Sequence, residues 1–512
     1  MSYRNLQTID YEPVTRRGKA DARADENEFD APPPFEFPSP RFADDTEISQ
    51  PQETRRLQGL EPSAAISPVE GESWIVKRGH TLSYLGIFLF TFVLYFRPYE
   101  LIPALSALSS MAMILALMTL GIFVPSQLAL EGNLTARPRE VNLLLLLTVT
   151  ALLSIPTAIS PGEAWGTFND TYIKAVMMFI VMVNVMRTEW RLMGLIWLSL
   201  GVGCLLSLNA LDNYRAGNFT VEGYRVEGNL GGMFGNPNDM ALHLVTMAPI
   251  AVALLLKSRN VVSKLLYGAC AALMVAGTVV TFSRGGFLGL VAGGFVLTWK
   301  LGRQRRLTVT IVSLIVLLLF LVLAPGNYGM RLLTLVDSNL DAVGSSSARR
   351  ELLKRSIVVA LRHPIFGIGM GNFHIVSIGE HVSHNAYTQV AAEIGMAAAA
   401  LYTMFIVTPL KRLRQIERAT FGKLRGSTLH YLAVGVQASL VAYMVSSFFA
   451  SVAYQWYVYY LVAYAISLRR IYDAEQPDDG TSEYSSGTEH SNSGGKKVER
   501  RDMFLNAAKE EN

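Results

Sequence analysis

The chain has 512 residues, of which 51% are hydrophobic and 17% are charged, and its formal net charge is +4. The apolar residues recur in runs of about 20 between Thr81 and Leu468, each long enough to span a bilayer, which excludes an ordinary soluble domain. The small net charge gives no indication of nucleic-acid binding, and two cysteines inside apolar runs exclude a disulfide framework or a zinc site.

The N-terminal residues 1–79 are predicted to form a cytoplasmic tail without a fixed structure. Pro32, Pro33 and Pro34 stand there among mixed charges, with little apolar periodicity. The segment is acidic and too long to be a cleavable signal peptide. Residues 471–512, rich in serine, glycine and charge, are predicted to form a second tail of the same kind.

Between the tails, residues 80–470 predict an all-α polytopic membrane bundle of about twelve transmembrane helices. The predicted spans are 81–96, 101–124, 141–159, 170–186, 190–211, 239–256, 262–281, 286–299, 306–324, 387–409, 428–449 and 452–468.

Basic residues in alternate short loops predict the orientation of the bundle. Arg137 and Arg139 follow the second span, and Lys411 and Arg412 open a basic loop after the tenth. Because basic loops stay on the cytoplasmic side, both tails are predicted to be cytoplasmic. The intervening loops then face outward, and they contain Arg225, Arg284 and His384.

One outward loop, residues 325–386 before span ten, is long and is predicted to be partly helical. Ser347 to Leu361 has the spacing of an amphipathic helix that should end before His363-Pro364. Its predicted apolar side consists of Leu352, Leu353, Ile357 and Ala360. Gly367, Gly369 and Gly371 then predict a flexible, turn-rich segment.

Arg225, Arg284 and His384 are the strongest candidates for chemistry. Charged side chains at membrane depth are costly unless they are paired or hydrated, so their presence indicates function. Two guanidinium groups suit a phosphate or pyrophosphate, and a histidine suits proton transfer near neutral pH. The competing interpretations are a snorkelling arginine at position 284, a solvated loop charge at 225 and a water-exposed helix cap at 384.

Further substrate-binding candidates surround these three. Ser283 and the following glycine pair would let the backbone approach a ligand closely, whereas Asn236 and Asn238 suit turn and N-cap duty equally well. Asn385, Gln389 and Glu393 would form one polar stripe along span ten. Arg349 and Arg350 suit either contact with the glycan or pyrophosphate, or a solvated helix face.

The order and spacing of these motifs resemble the O-antigen ligase and O-antigen polymerase superfamily. The similarity covers residues 200–410 and rests on the following series: Arg225, Gly235-Asn236-Pro237-Asn238, Thr281-Phe282-Ser283-Arg284-Gly285-Gly286, Arg349-Arg350, His363-Pro364-Ile365-Phe366-Gly367, His384-Asn385 and Glu393-Ile394-Gly395. The resemblance implies a bacterial inner-membrane enzyme that transfers a glycan from undecaprenyl pyrophosphate at the periplasmic face. It also implies that Arg225 and Arg284 hold the pyrophosphate and that His384 is essential.

The resemblance further implies that the reaction needs no metal and no nucleotide-sugar cofactor. The acceptor stays open between a glycan, a lipid A-core and a protein, and other polysaccharide-export proteins are candidate partners. Direct displacement would invert the sugar configuration, with His384 acting as a base or as an orienting group. The alternatives are a lipid-linked glycan transporter, whose binding groups should lie near mid-membrane, and a membrane scaffold with docking tails.

Overall fold

The computed structural model describes residues 74–101, 110–219, 225–226, 234–302, 345–421 and 428–475, all within the compact unit Glu70–Asn512. Every regular element within these ranges is helical, which confirms the all-α prediction. Most of both predicted tails and the predicted span 306–324 lie outside the described residues.

The longer helices are numbered in chain order. In the first part of the chain they are α1 (Trp74–Phe96), α2 (Met111–Glu131), α3 (Arg139–Ser154), α4 (Pro161–Thr167), α5 (Ile173–Val185), α6 (Glu189–Ala216), α7 (Pro237–Lys257), α8 (Val261–Val280) and α9 (Arg284–Leu301). A short π-helical stretch, Phe168–Tyr172, joins α4 to α5.

The second part begins with the helix of the long loop. It contains α10 (Ser345–Arg362), α11 (Ala386–Glu393), α12 (Met396–Thr420), α13 (Thr428–Ser446) and α14 (Trp456–Glu475). Short helical turns cover Pro98–Leu101, Phe373–Val376, Ile378–Glu380 and Ser447–Phe449.

Seven helical segments among the described residues are long and apolar enough to cross a membrane. They are Gly79–Phe96, Met111–Glu131, Pro161–Val185, Glu189–Ala216, Pro237–Lys257, Val261–Val280 and Thr428–Phe449. The multi-span prediction is therefore supported, whereas the count of twelve stays a prediction.

Helix α14 lies at the centre of the bundle, because its residues from Trp456 to Leu468 are buried on every side. Buried tyrosine hydroxyls need hydrogen-bond partners, and neighbouring helices supply them. The hydroxyl of Tyr460 lies 2.7 Å from that of Thr91 on α1, and the hydroxyl of Tyr464 lies 2.9 Å from that of Ser199 on α6. These contacts fix α14 against the helices around it.

Several predicted boundaries were wrong by a turn or more. The second span was predicted to stop at residue 124, but α2 continues through Pro125 to Glu131. Proline is tolerated inside membrane helices because other groups compensate the lost backbone hydrogen bond. Helix α1 begins at Trp74 and α14 continues to Glu475, so each predicted tail is shorter than its predicted bounds by about a turn.

The predicted span 387–409 is not one continuous helix. It is broken at Gly395, whose φ of 114° favours glycine, and α12 starts at the next residue. The break is stabilised by backbone pairing, since Met396 N donates to Pro364 O at 2.8 Å and Gly369 N donates to Glu393 O at 2.9 Å. The glycine-rich segment of the long loop therefore lies against the gap between α11 and α12.

Helix α10 confirms the amphipathic helix predicted in the long loop and ends before His363, as expected. Its buried side was partly mispredicted. Leu352 and Ala360 are buried as expected, but Ile357 is exposed, and the buried residue between them is Ser356. The spacing of four residues from 352 to 360 continues through Ser356, whose hydroxyl donates to Leu353 O, so a polar residue shares the packed face.

Candidate active site

Arg225, Asn238 and Ser283 come from three different segments and meet in one hydrogen-bond network. The guanidinium of Arg225 donates from Nη2 to Asn238 Oδ1 at 2.9 Å and from Nε to Thr281 O at 3.1 Å. Ser283 Oγ donates to the same Asn238 oxygen at 2.9 Å. Asn238 therefore connects the loop before α7 to the corner between α8 and α9.

Asn236 is the N-cap of α7, one of the roles that the sequence predicted for it. Its Oδ1 accepts from Asn238 N at 2.8 Å, at the start of α7, and Pro237 occupies the first helical position. Its side chain is exposed, whereas Asn238 is half-buried. Asn236 therefore caps the helix through the backbone of Asn238, whereas the side chain of Asn238 contacts Arg225.

Arg284 is the first residue of α9 and is buried. Ser283 caps this helix by accepting from Gly286 N at 3.2 Å. The preceding Phe282 has a φ of 52°, an uncommon backbone conformation for a bulky residue, and its ring lies 6.4 Å from that of Tyr214 at the end of α6. A sharp corner therefore presents Arg284 at a helix N-terminus, where both the guanidinium and the helix dipole favour an anion.

The glycines after Arg284 mediate close helix packing. A Cβ on Gly285 would lie 2.8 Å from Phe449 Cβ, and one on Gly289 would lie 2.0 Å from Ser446 Oγ. A Cβ on Gly286 would lie 2.8 Å from Ala241 Cβ on α7. Small residues at this spacing let membrane helices approach closely, so α9 is pressed against α7 and α13. The glycine pair is thereby explained by packing as well as by the predicted approach to a ligand.

His384 lies just before α11, with a φ of 53°. Its backbone N donates to Ser451 Oγ at 2.8 Å, and Ser383 Oγ lies 3.2 Å from the same oxygen. The next residue, Asn385, caps α11 by accepting from Tyr387 N at 2.9 Å and Thr388 N at 3.0 Å. Hydrogen bonds with side chains thus fix the backbone of the turn that carries the imidazole of His384.

The imidazole of His384 is predominantly neutral near physiological pH. Partial burial, the positive charge of Arg349 and the neighbouring His381 together lower its pKa to about 4. A neutral imidazole carries a free nitrogen lone pair and can accept a proton. Arg349 is half-buried on α10, close enough for this charge effect, whereas Arg350 is exposed.

The segment 446–451 links the Arg284 corner to the His384 turn, and sequence reasoning did not single it out. Ser446 Oγ donates to Gly285 O at 3.0 Å, while Ser447 Oγ lies 3.4 Å from Tyr387 OH. Ser451 binds the backbone of His384. The sequence does contain several serines at this junction between two predicted spans. Serines at the ends of spans often only cap a helix, so they did not indicate a functional site.

Glu393 is buried, and the contacts of its carboxylate are internal. Its Oε2 accepts from Tyr454 OH at 2.8 Å and from Gly371 N at 2.9 Å. Asn385 and Gln389 are also buried, as the predicted polar stripe requires, although the stripe ends where α11 ends. The geometry gives Glu393 a role in holding the glycine-rich segment, and substrate binding by it stays a prediction.

A metal site was not expected, and the described residues contain no group of three or more His, Cys, Asp or Glu side chains that could hold a metal ion. Metal independence itself stays a prediction.

Residues 269–403 match the family model described as O-antigen ligase. This segment is similar to an O-antigen ligase domain and is referred to below as the ligase domain. The resemblance predicted from the motifs is thus confirmed. No curated protein and no solved structure matches the chain.

The ligase domain contains Ser283, Arg284 and His384, together with Arg349, Arg350, Asn385 and Glu393. Arg225 and the two asparagines lie before it in the chain. Hydrogen bonds to Thr281 and Ser283 nevertheless join Arg225 and Asn238 to the beginning of the domain. The domain boundary in sequence therefore does not separate the candidate residues in space.

Proposed function

We propose that this protein transfers a glycan from undecaprenyl pyrophosphate to an acceptor at the periplasmic face of the bacterial inner membrane. Both termini would then lie in the cytoplasm. The O-antigen ligase domain supports glycan transfer in general. The observation that carries the more specific proposal is the network in which Arg225, Asn238 and Ser283 converge beside Arg284.

The site must stabilise the pyrophosphate as it leaves. When the bond between the anomeric carbon and the pyrophosphate oxygen breaks, negative charge accumulates on the pyrophosphate. Arg284 at a helix N-terminus and Arg225 on the adjoining loop would stabilise this charge. The contacts of Arg225 with Thr281 and Asn238 orient its planar group before substrate arrives, so little reorganisation is needed during the reaction.

The acceptor hydroxyl supplies the attacking oxygen in this proposal. Its oxygen bonds to the anomeric carbon, undecaprenyl pyrophosphate departs, and the hydroxyl proton passes to the neutral imidazole of His384 or to solvent. Attack from the face opposite the leaving group inverts the configuration of the sugar. Burial and the charge of Arg349 lower the pKa of His384 to about 4, so the imidazole is neutral but weakly basic. An anionic donor bound beside it would raise this pKa and make His384 a better proton acceptor.

Helix α10 packs against α11, the helix that follows His384, and the glycine-rich segment pairs with the end of α11. The charge of Arg349 on α10 lowers the pKa of His384, and the carboxylate of Glu393 accepts a hydrogen bond from Gly371 N. We propose that α10 and the glycine-rich segment contact the acceptor or the sugar. A glycan, a lipid A-core and a protein are all acceptors of suitable chemistry, and other polysaccharide-export proteins are candidate partners.

A transporter of lipid-linked glycans was the alternative from another class. The family match does not favour it. Arg284 at the start of α9 and His384 before α11 support the proposed site at the ends of these helices, whereas a transporter is expected to collect its binding groups near the membrane midplane.

The proposal is tested with purified protein in vesicles that contain a lipid-linked oligosaccharide. We expect release of undecaprenyl pyrophosphate together with an elongated or newly attached acceptor, both followed by mass spectrometry. Arg284→Gln should abolish release, whereas Arg414→Gln, at an exposed arginine near the end of α12, should retain most of it. Movement of the intact lipid-linked glycan across the bilayer, with no cleavage of the pyrophosphate bond, would support transport and contradict the proposal.

A further inference from the structure

Three arginines gather at the opposite end of the bundle, around the last carbonyls of α5. Arg187 donates from Nε to Asn184 O at 2.5 Å, Arg191 donates from Nη1 to Val185 O at 3.0 Å, and Arg470 donates from Nη1 to Val183 O at 2.6 Å. The three come from the loop after α5, the first turn of α6 and the last turns of α14. We call them the arginine cluster.

The negative charge in the cluster is smaller than the positive charge. Arg187 forms an ion pair with Glu131, and among the described residues this is the one ion pair that the three arginines make. The C-terminus of α5 adds a partial charge of about −0.5. Three guanidinium groups thus face about one and a half negative charges, and the site has an excess of positive charge.

Many donors in the cluster are not used by these contacts. A guanidinium has five N–H donors, and Arg470 uses one of them in the hydrogen bonds of the described residues. Arg191 Nε and both ring nitrogens of the nearby His80 are buried, without a hydrogen-bond partner in the described part of the chain. A buried donor without an acceptor is costly, so the cluster is suited to bind an additional acceptor.

The surroundings place the cluster at the edge of the bilayer. Two large exposed side chains lie near it: Trp190 directly precedes Arg191, and Leu134 precedes Thr135, which contacts Asn184. The Trp190 ring packs edge-on against Tyr84, with centroids 5.2 Å apart, and Arg191 lies over that tyrosine. Tryptophan at a helix end is typical of the headgroup region of a membrane. The side chain of Arg187 is 31% exposed, so the cluster is accessible from that region.

We propose that the arginine cluster binds the phosphate of an anionic phospholipid headgroup, in the leaflet opposite the candidate active site. Arginine clusters match phosphate oxygens through paired hydrogen bonds, and basic pockets between membrane helices are suited to anionic headgroups. The exposed Trp190 and Leu134 would lie beside the acyl chains. This site is separate from the proposed glycan transfer and does not depend on it.

The test measures the thermal stability of the full chain in nanodiscs of two compositions. Nanodiscs of phosphatidylglycerol should raise Tm by at least ~3 °C over nanodiscs of phosphatidylcholine, because a ligand of the folded state stabilises it. Arg470→Gln should reduce this difference by more than half. Arg469→Gln is the matched control, since the neighbouring Arg469 pairs with Asp473 on the same helix at 3.5 Å, and it should keep the full difference.

The same comparison of Tm in the two nanodisc compositions shows whether Arg470 binds lipid or only stabilises the contact between helices. Loss of a helix contact alone would lower Tm equally in both compositions and leave their difference unchanged, which would overturn the proposal. An equal reduction by Arg469→Gln would also overturn it, since the effect would then belong to a generally basic surface. Inorganic phosphate added to phosphatidylcholine nanodiscs separates the sources: an equal Tm shift there would assign the site to free phosphate rather than to lipid.

Discussion

Arg225 and Asn238 are joined by a 2.9 Å hydrogen bond between the guanidinium and the side-chain amide oxygen. The same oxygen accepts from Ser283, one residue before Arg284. One asparagine side chain therefore sets the position of an arginine from a distant loop relative to the N-terminus of α9.

Replacing Asn238 with alanine should reduce activity by about 10–100-fold, because a hydrogen bond to a charged group contributes about 1.5–3 kcal/mol. The loss should appear in kcat/KM for the lipid-linked donor. Asn236→Ala is the control, since it removes the N-cap of α7 and should lower stability by about 1 kcal/mol while leaving Arg225 with its partner. Equal activity losses in the two variants would contradict a specific role for Asn238.

Replacing Arg284 with lysine tests the geometry of phosphate binding. Lysine keeps the positive charge but lacks the planar fork that matches a pyrophosphate. We expect at least a tenfold loss of activity with normal membrane insertion, measured by product formation and by protein content of the membrane fraction. Arg414→Lys, at an exposed arginine on α12, serves as the control. A fully active Arg284→Lys variant would reduce Arg284 to a simple point charge.

The pH dependence of the reaction should reflect the lowered pKa of His384. Because this pKa is about 4 and the ordinary value is 6.5, neutral His384 persists down to about pH 4. As the pH is lowered, kcat/KM should therefore decrease near pH 4 because His384 becomes protonated. This decrease should be absent from the residual activity of His384→Gln. An anionic donor bound beside the imidazole favours its charged form, so the corresponding decrease in kcat should lie at a higher pH.

The same shift affects stability with a definite sign. Between about pH 4 and 6.5 the unfolded chain binds a proton at His384 that the folded chain does not, so stability falls as the pH decreases through this range. Above pH 6.5 His384 makes no pH-dependent contribution. His384→Gln should flatten the decrease in Tm between pH 6.5 and 4, and an unchanged slope would contradict the lowered pKa.

Close packing of α9 against α13 predicts different outcomes at two glycines. Gly289→Ala would place a Cβ 2.0 Å from Ser446 Oγ and 3.0 Å from the Ala442 carbonyl oxygen, so it should destabilise the protein by about 1–3 kcal/mol. Gly294→Ala has open space and should be neutral or stabilising by up to about 1 kcal/mol. Thermal unfolding in one detergent compares both. A lower Tm for Gly294→Ala would show that helix propensity does not decide the outcome here.

The orientation in the membrane is tested by cysteine labelling in a Cys204→Ala and Cys270→Ala background. A cysteine at Ser346, at the start of α10, should react with an impermeant reagent in cells whose inner membrane is intact. A cysteine at Ser427, which lies outside the described residues in the basic loop after α12, should not react. Labelling at 427 with none at 346 would reverse the predicted orientation.

The helical fold and many of its boundaries follow from the sequence. Apolar runs of fixed length leave a helix as the simplest way to satisfy the backbone in a bilayer, and α7, α8 and α9 begin and end within about two residues of their predicted positions. The cost of charged side chains at membrane depth indicated a functional site at Arg225, Arg284 and His384, and the order of their motifs resembled a glycan-transferring family.

Tertiary structure decided the features that depend on contacts between distant segments. The break at Gly395 requires the segment 364–369 to pair with it, and the burial of Ser356 requires the neighbouring helix. Asn238 has the same local sequence signal as Asn236, yet one caps a helix and the other binds Arg225. The physical reason is that periodicity reports which side chains avoid water, whereas hydrogen-bond partners are chosen by which segments meet in space.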